Sequence, residues 1–155
     1  MKRNKNLQPL SRQHHNALMA VLLLRKGVQK NVDANVMKDF ILSVWNDELK
    51  THFKAEEKWM IPNVEDEELH IMYKQILNEH QQLRAFIRQF EINISTIEII
   101  EQFYKLLDQH IRFEERIFFP AVEKNFTTTQ LETIGKHIKD TRTESCASFP
   151  VKFWE

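Results

Sequence analysis

Apolar residues recur at steps of three and four through most of the chain, and the alternation expected of strands is nowhere sustained. The pattern therefore predicts helices, each buried along one stripe. The most regular stripe is Leu69, Tyr73, Ile76, His80, Leu83, Ile87 and Phe90. It predicts a helix from about Asp66 to Phe90 with a histidine inside its seam. A first helix is expected from Ser11, a good N-cap residue, to about Lys26, with Gly27 supplying the stop. A second should begin near Asp33 or Asn35 and end before Pro62. A fourth, capped by Ser95, should reach about Lys124 with Phe103, Leu107, His110, Glu114 and Ile117 on one line. Pro120 does not fit a helix interior, so a kink or an end is expected near it. A short fifth helix is expected after the threonines at 127 to 129, and Ser148 to Glu155 reads as an irregular docking segment.

Composition sharpens this into a fold class. With 2 glycines and 4 prolines in 155 residues, the chain is poor in turn formers. The expectation is an all-α, up-down-up-down four-helix bundle with a short C-terminal helix or irregular tail. One domain should span residues 1–155, the bundle occupying about 11–124 and a C-terminal segment about 125–155. The 22 basic and 22 acidic residues cancel, so no global field favours nucleic acid or an anionic membrane. The apolar run Ala20 to Leu24 is too short for a leader or a membrane span, and a cytoplasmic location is expected. Cys146 is the single cysteine, which excludes an internal disulfide and a thiolate cage. Any metal site must use nitrogen and oxygen.

The candidate chemistry lies in a repeat. His52-Phe-Lys-Ala-Glu56-Glu57-Lys58-Trp59-Met60-Ile61-Pro62 is answered 58 residues later by His110-Ile-Arg-Phe-Glu114-Glu115-Arg116-Ile117-Phe118-Phe119-Pro120. A histidine and a glutamate four apart share a helix face, so each copy aims an imidazole and a carboxylate at a common point. Upstream of each copy stands another histidine in an H-x-x-L pattern, His15 to Leu18 and His80 to Leu83, and this match favours His15 over His14. At ~1.5 Å rise per residue, His80 and His110 return to within a few Å of the same height on neighbouring helices, and the His15 to His52 crossing differs by roughly one turn. Two hairpins, each with two imidazoles and one carboxylate, suit two metal ions bridged by carboxylates. On ligand type alone, iron, manganese and zinc all qualify.

These residues resemble the hemerythrin-like, or HHE cation-binding, domain proteins, four-helix bundles with a non-haem di-iron centre. The resemblance covers roughly residues 11 to 122. It implies His15, His52, His80 and His110 as terminal ligands of two iron ions, with Glu56 and Glu114 as bridging carboxylates and an oxo or hydroxo bridge. Oxygen-carrying members have a further histidine one turn after the third, where this chain has Arg84. The four-histidine, two-glutamate set is therefore more similar to bacterial members proposed to repair iron centres or handle nitric oxide, and to regulatory domains that sense iron or oxygen. The implied partners are a small diatomic or peroxide ligand and, for an oxidoreductase, an external electron donor, because no flavin or nucleotide motif is present. A di-iron oxidoreductase or iron-centre repair protein, and a metal-free helical interaction module, are the alternatives. Oligomeric state is left open.

Several neighbours have two readings. Glu57 and Glu115 are rotated ~100° from the proposed bridges, which makes a solvated face their default, yet each is also a candidate acceptor for an imidazole N–H. Glu115 is a possible ligand in place of Glu114. Arg84 is either a counter-charge to a bridging glutamate or a surface residue. His14 reads as an outer or surface group, and His70 and His137 as exposed. Trp45, Trp59, Phe113, Phe118 and Phe119 read as core.

Overall fold

In a computed structural model of the chain, residues 2–138 and 145–155 are described, and they are helical with no strand among them. Of the C-terminal segment expected over 125–155, positions 139–144 lie outside the described residues. Helix α1 spans Gln8–Gln29. Helix α2 runs Ala34–Val44, passes through a π turn at Trp45–Leu49 and continues as Lys50–Trp59. Helix α3 is Glu67–Glu91. Helix α4 runs Ile97–Phe113, through a second π turn at Glu114–Phe118, to Phe119–Asn125. Helix α5 is Thr128–His137, and a 3-10 turn follows at Cys146–Ser148. The four long helices form a bundle in which α1 packs on α2 and α4, and α3 packs on α4. No described helix is long and apolar enough to cross a membrane.

Local chemistry explains most boundaries. Asp33 accepts from the Asn35 amide at 2.7 Å, Asp66 from Leu69 at 3.1 Å and Thr96 from Ile99 at 3.2 Å, each satisfying a donor orphaned at a helix start. Thr127 and Gln130 cap α5 reciprocally. Ser95, expected to cap the fourth helix, instead donates to Asn35 Oδ1 at 2.9 Å. Ser11 does not start α1 either. Pro9 sits in the first turn, where its fixed φ suits a helix and its missing N–H costs nothing. This pulls the start back to Gln8 and frees the Ser11 hydroxyl for Glu115.

Gly27 is not a stop signal. It is buried inside α1, and a Cβ there would lie 2.7 Å from Met37 Sδ and 2.9 Å from the Phe153 ring. The left-handed positions are Asn31 (φ 56°) and Asn93 (φ 62°), just past α1 and α3, where asparagine tolerates that conformation. Pro120 does not end α4, which continues to Asn125. The π turn immediately before it widens the helix where the ring would meet the carbonyl of Arg116. The same turn carries Ile117 to the surface, 47% exposed, and turns Phe118 inward.

Apolar burial falls into two clusters. One gathers Ala17, Phe40, Leu49, Leu83, Phe103 and Leu107, and the other Leu10, Met60, Ile76, Phe118, Phe119 and Val122. On every long helix a histidine stands between a residue of one cluster and a residue of the other. The tail docks as an irregular segment: Phe149 and Phe153 meet Phe40 edge-on at 5.3 and 5.1 Å.

Candidate metal centre

Four imidazoles and two carboxylates converge in the layer between the apolar clusters, but the first histidine is His14. His14, His52 and Glu56 are each 2% exposed, and His80, His110 and Glu114 are fully buried. His15, favoured by the H-x-x-L match, points to solvent. The stripe of α1 runs Leu10, His14, Ala17, Val21 and Leu24, all buried, and its steps of four and three exclude position 15. The repeat aligns His14 to Ala17 with His80 to Leu83. Leucine at 18 was an accident of register.

The imidazoles pair within hairpins and the carboxylates span them. His14 Nε2 and His52 Nε2 lie 3.0 Å apart, and His80 Nε2 and His110 Nε2 lie 3.2 Å apart. Glu56 Oε1 is 3.2 Å from His52 Nε2 and 3.3 Å from His80 Nε2. Its Oε2 is 3.7 Å from His14 Nε2. Glu114 reaches His110 Nε2 at 2.5 Å through Oε1 and His14 Nε2 at 3.8 Å through Oε2. Two overlapping groups have atoms within 4.8 Å of one another: Glu56, His80, His110 and Glu114, and His14, His52 and Glu56.

Each imidazole is held from behind through Nδ1. His14 pairs with Glu115 at 2.9 Å, His80 with Glu57 at 2.8 Å, His110 with Glu79 at 2.7 Å and His52 with the Gln13 amide oxygen at 2.5 Å. Glu57 and Glu115 therefore serve as outer acceptors, and Glu115 is not in the ligand layer. Each supports a histidine of the other hairpin. Arg84 clamps Glu57 through two bonds of 2.6 and 3.0 Å, so its counter-ion is this outer carboxylate and not a bridging one. Its guanidinium lies over Phe53, which stacks on His80 at 4.0 Å. Arg3 is placed similarly but is bonded differently: it binds the Glu115 backbone carbonyl at 2.8 Å and the Glu123 carboxylate, and it lies over Phe119, which stacks on His14 at 5.3 Å. His137 is exposed and stacked on Trp59 at 3.8 Å, while His70 is half-buried. Gln13, Glu79 and Arg3 were missed in the sequence. The signal for the first two was their place directly before His14 and His80.

The donor set fits cations. All four oxygens of Glu56 and Glu114 are buried without a hydrogen bond of acceptable geometry, a costly arrangement for carboxylates. With Nδ1–H donating outward, each neutral imidazole turns an Nε2 lone pair into the layer, where facing lone pairs repel unless a proton or a metal ion intervenes. Titration behaviour agrees. Burial pulls His14 down, but Glu115, Glu56 and Glu114 outweigh it and lift the group to about 9. Burial likewise lowers His110, and Glu114 and Glu79 carry it up to about 10. For His52 burial prevails and its pKa falls. Glu114 is raised by burial and by the charge of Glu56, whereas Glu56 is held low by His52 and its other partners against burial. Burial raises Glu57, but His80 and Arg84 take it down to about 2, so it stays a charged acceptor.

The description "Hemerythrin HHE cation binding domain" matches residues 7–122. The chain belongs to the hemerythrin HHE cation-binding family. Membership accounts for the bundle and supports a metal-binding role, and the His/Glu layer is a group that could hold a metal ion. A curated relative, named a DNA nickase, from Nostoc sp. strain PCC 7120, is 25% identical over 142 residues. That match covers 89% of this chain and 39% of the relative, so this chain spans well under half of its length. No solved structure matches.

Proposed function

We propose that this hemerythrin-like domain holds two iron ions and binds or responds to dioxygen, nitric oxide or a related small molecule, in sensing, iron handling or stress defence. The observation that carries the reading is the buried layer of four imidazoles and two otherwise unpartnered carboxylates spanning two hairpins. His14 and His52 would hold one ion, His80 and His110 the other, with Glu56 and Glu114 between them. Iron held there would supply redox chemistry and could bind a small ligand, although manganese or zinc would suit the same donors.

The chain's own part is positioning and shielding. The Nδ1 acceptors fix which ring nitrogen faces inward. Phe53 and Phe119 lie flat against His80 and His14 and exclude water from that side. The Arg84 and Arg3 side chains close the layer over those rings. We place the protein in the cytoplasm, without nucleic-acid or membrane partners, on its balanced charge; the nickase activity of the relative is not carried over. An oxidoreductase role at this site would draw on an external electron donor.

The test is metal quantification of gently purified and reconstituted protein, with anaerobic absorption spectra before and after oxygen. About two equivalents of iron and an oxygen-dependent spectral change are expected. Less than about one equivalent of iron, manganese or zinc would sink the metal reading. Peroxide or nitric oxide turnover with a chemical reductant, abolished by Glu114→Ala, would move the protein to the oxidoreductase class.

A further inference from the structure

The support behind the four histidines is similar in the two hairpins but breaks their pseudo-two-fold. Three components recur in both hairpins, only the first of them at equivalent repeat positions. Glu57 behind His80 corresponds to Glu115 behind His14. Arg84 makes two bonds to the Glu57 carboxylate, whereas Arg3 binds the Glu115 backbone carbonyl and the Glu123 carboxylate and approaches the Glu115 carboxylate only to 3.7 Å, where Ser11 donates instead. Phe53 stacked on His80 under Arg84 corresponds to Phe119 stacked on His14 under Arg3. The fourth component differs. The residue before His80 is Glu79, which receives His110 Nδ1 at 2.7 Å, whereas the residue before His14 is Gln13, which receives His52 Nδ1 at 2.5 Å. Glu79 is itself buried, 7% exposed, and its second oxygen accepts from the neutral Gln75 amide at 3.3 Å. Its charge is therefore directed at His110, while His52 faces an amide.

A carboxylate acceptor makes an imidazole a stronger donor to a cation, and an amide does so less. The inner atoms are unequal in the same direction. His80 and His110 each have a different carboxylate within 3.3 Å, Glu56 and Glu114, whereas of the other pair His52 has Glu56 at 3.2 Å and His14 has its nearest inner carboxylate at 3.7 Å. We propose that the two metal positions are inequivalent by virtue of Glu79 and Gln13: the position at His80 and His110 fills first and holds its ion more tightly, and that at His14 and His52 fills second and exchanges readily. This rests on the dinuclear reading above and adds which position is the labile one and which two positioning residues make it so.

The test titrates the metal-depleted 155-residue chain with ferrous iron anaerobically, following heat and the Mössbauer spectrum of enriched iron. The wild type should fill in two steps about tenfold or more apart, with one iron environment after the first equivalent and a second, distinct one after the next. Glu79→Gln should weaken the first step by about 10–100-fold, the usual effect of losing such an outer acceptor. Gln13→Glu should tighten the second step and draw the two together. The double exchange Gln13→Glu/Glu79→Gln leaves the net charge unchanged and should reverse the order, so that His52→Ala then removes the tight step instead of the weak one. Helical content by circular dichroism keeps misfolded variants from being scored as weak binders. Two bound irons with a step ratio that neither exchange alters would overturn this proposal and leave the dinuclear reading standing. No iron bound by the wild type would overturn both.

Discussion

His14 and His15 are neighbours in sequence but ~100° apart around α1, and that rotation separates a buried imidazole from a solvated one. His14→Ala should lose about one of the two equivalents of bound metal, whereas His15→Ala should leave stoichiometry and affinity unchanged; metal analysis of the two variants side by side decides it. The raised values of His14, about 9, and His110, about 10, predict competition between protons and metal. Both lie above the ordinary 6.5, so in chain stripped of metal these groups are protonated at neutral pH. Binding there should release about two protons from them, the apparent affinity should rise with pH, and release should fade toward pH 10. Calorimetry in buffers of different ionisation enthalpy measures this, and proton uptake on binding would contradict it. The linked stability has the same sign: their contribution to the stripped fold is complete below about pH 6.5 and is lost as pH rises through 9 to 10.

Among the elements, α1 and α4 departed furthest from expectation, α1 at a glycine packed against residues remote in sequence and α4 at a local change of helix geometry. The expected end of α1 at Gly27 rested on glycine's habit of ending helices. In the fold its missing side chain makes room for Met37 of α2 and Phe153 of the tail. Gly27→Ala should therefore lose about 1–3 kcal/mol through overpacking, even though alanine gains about 1 kcal/mol in helix propensity. A urea midpoint above that of the wild type would show that the tail can yield. In α4 the apolar stripe was legible as far as Glu114, and beyond it the π turn reset which residues face inward. Pro120 marked the vicinity but not the outcome, because a missing N–H can be met by a kink, an end or a widened turn. Nothing in the sequence accounts for the corresponding π turn at Trp45–Leu49 in α2.

At the scale of the molecule, a layer of buried acids and imidazoles lies between two apolar clusters, an arrangement in which function costs stability. Burying Glu56 and Glu114 without hydrogen bonds is unfavourable, and a cation bound between the hairpins would offset it while tying the hairpins together. Metal should therefore raise the unfolding midpoint of the stripped chain. The stabilisation expected is about 2.7 kcal/mol when free metal is at 100 times its dissociation constant. Thermal unfolding with and without ferrous iron measures this, and the shift should vanish in a Glu56→Ala/Glu114→Ala variant. An equal shift in that variant would place binding elsewhere on the surface.

The sequence by itself determined the helical bundle, the doubled H-x-x-x-E unit and five of the six inner residues. These follow from local rules: periodicity assigns a buried face, and two residues four apart on a helix must meet. Tertiary structure decided what depends on neighbours distant in the chain. It selected His14 over His15, because only the packing of α1 against the other helices fixes which flank of its stripe is inside. It decided between the two readings of Glu57 and Glu115, making them supports for histidines of the opposite hairpin. It also set Gln13 and Glu79 at equivalent places behind His52 and His110, where the difference between an amide and a carboxylate acquires a consequence.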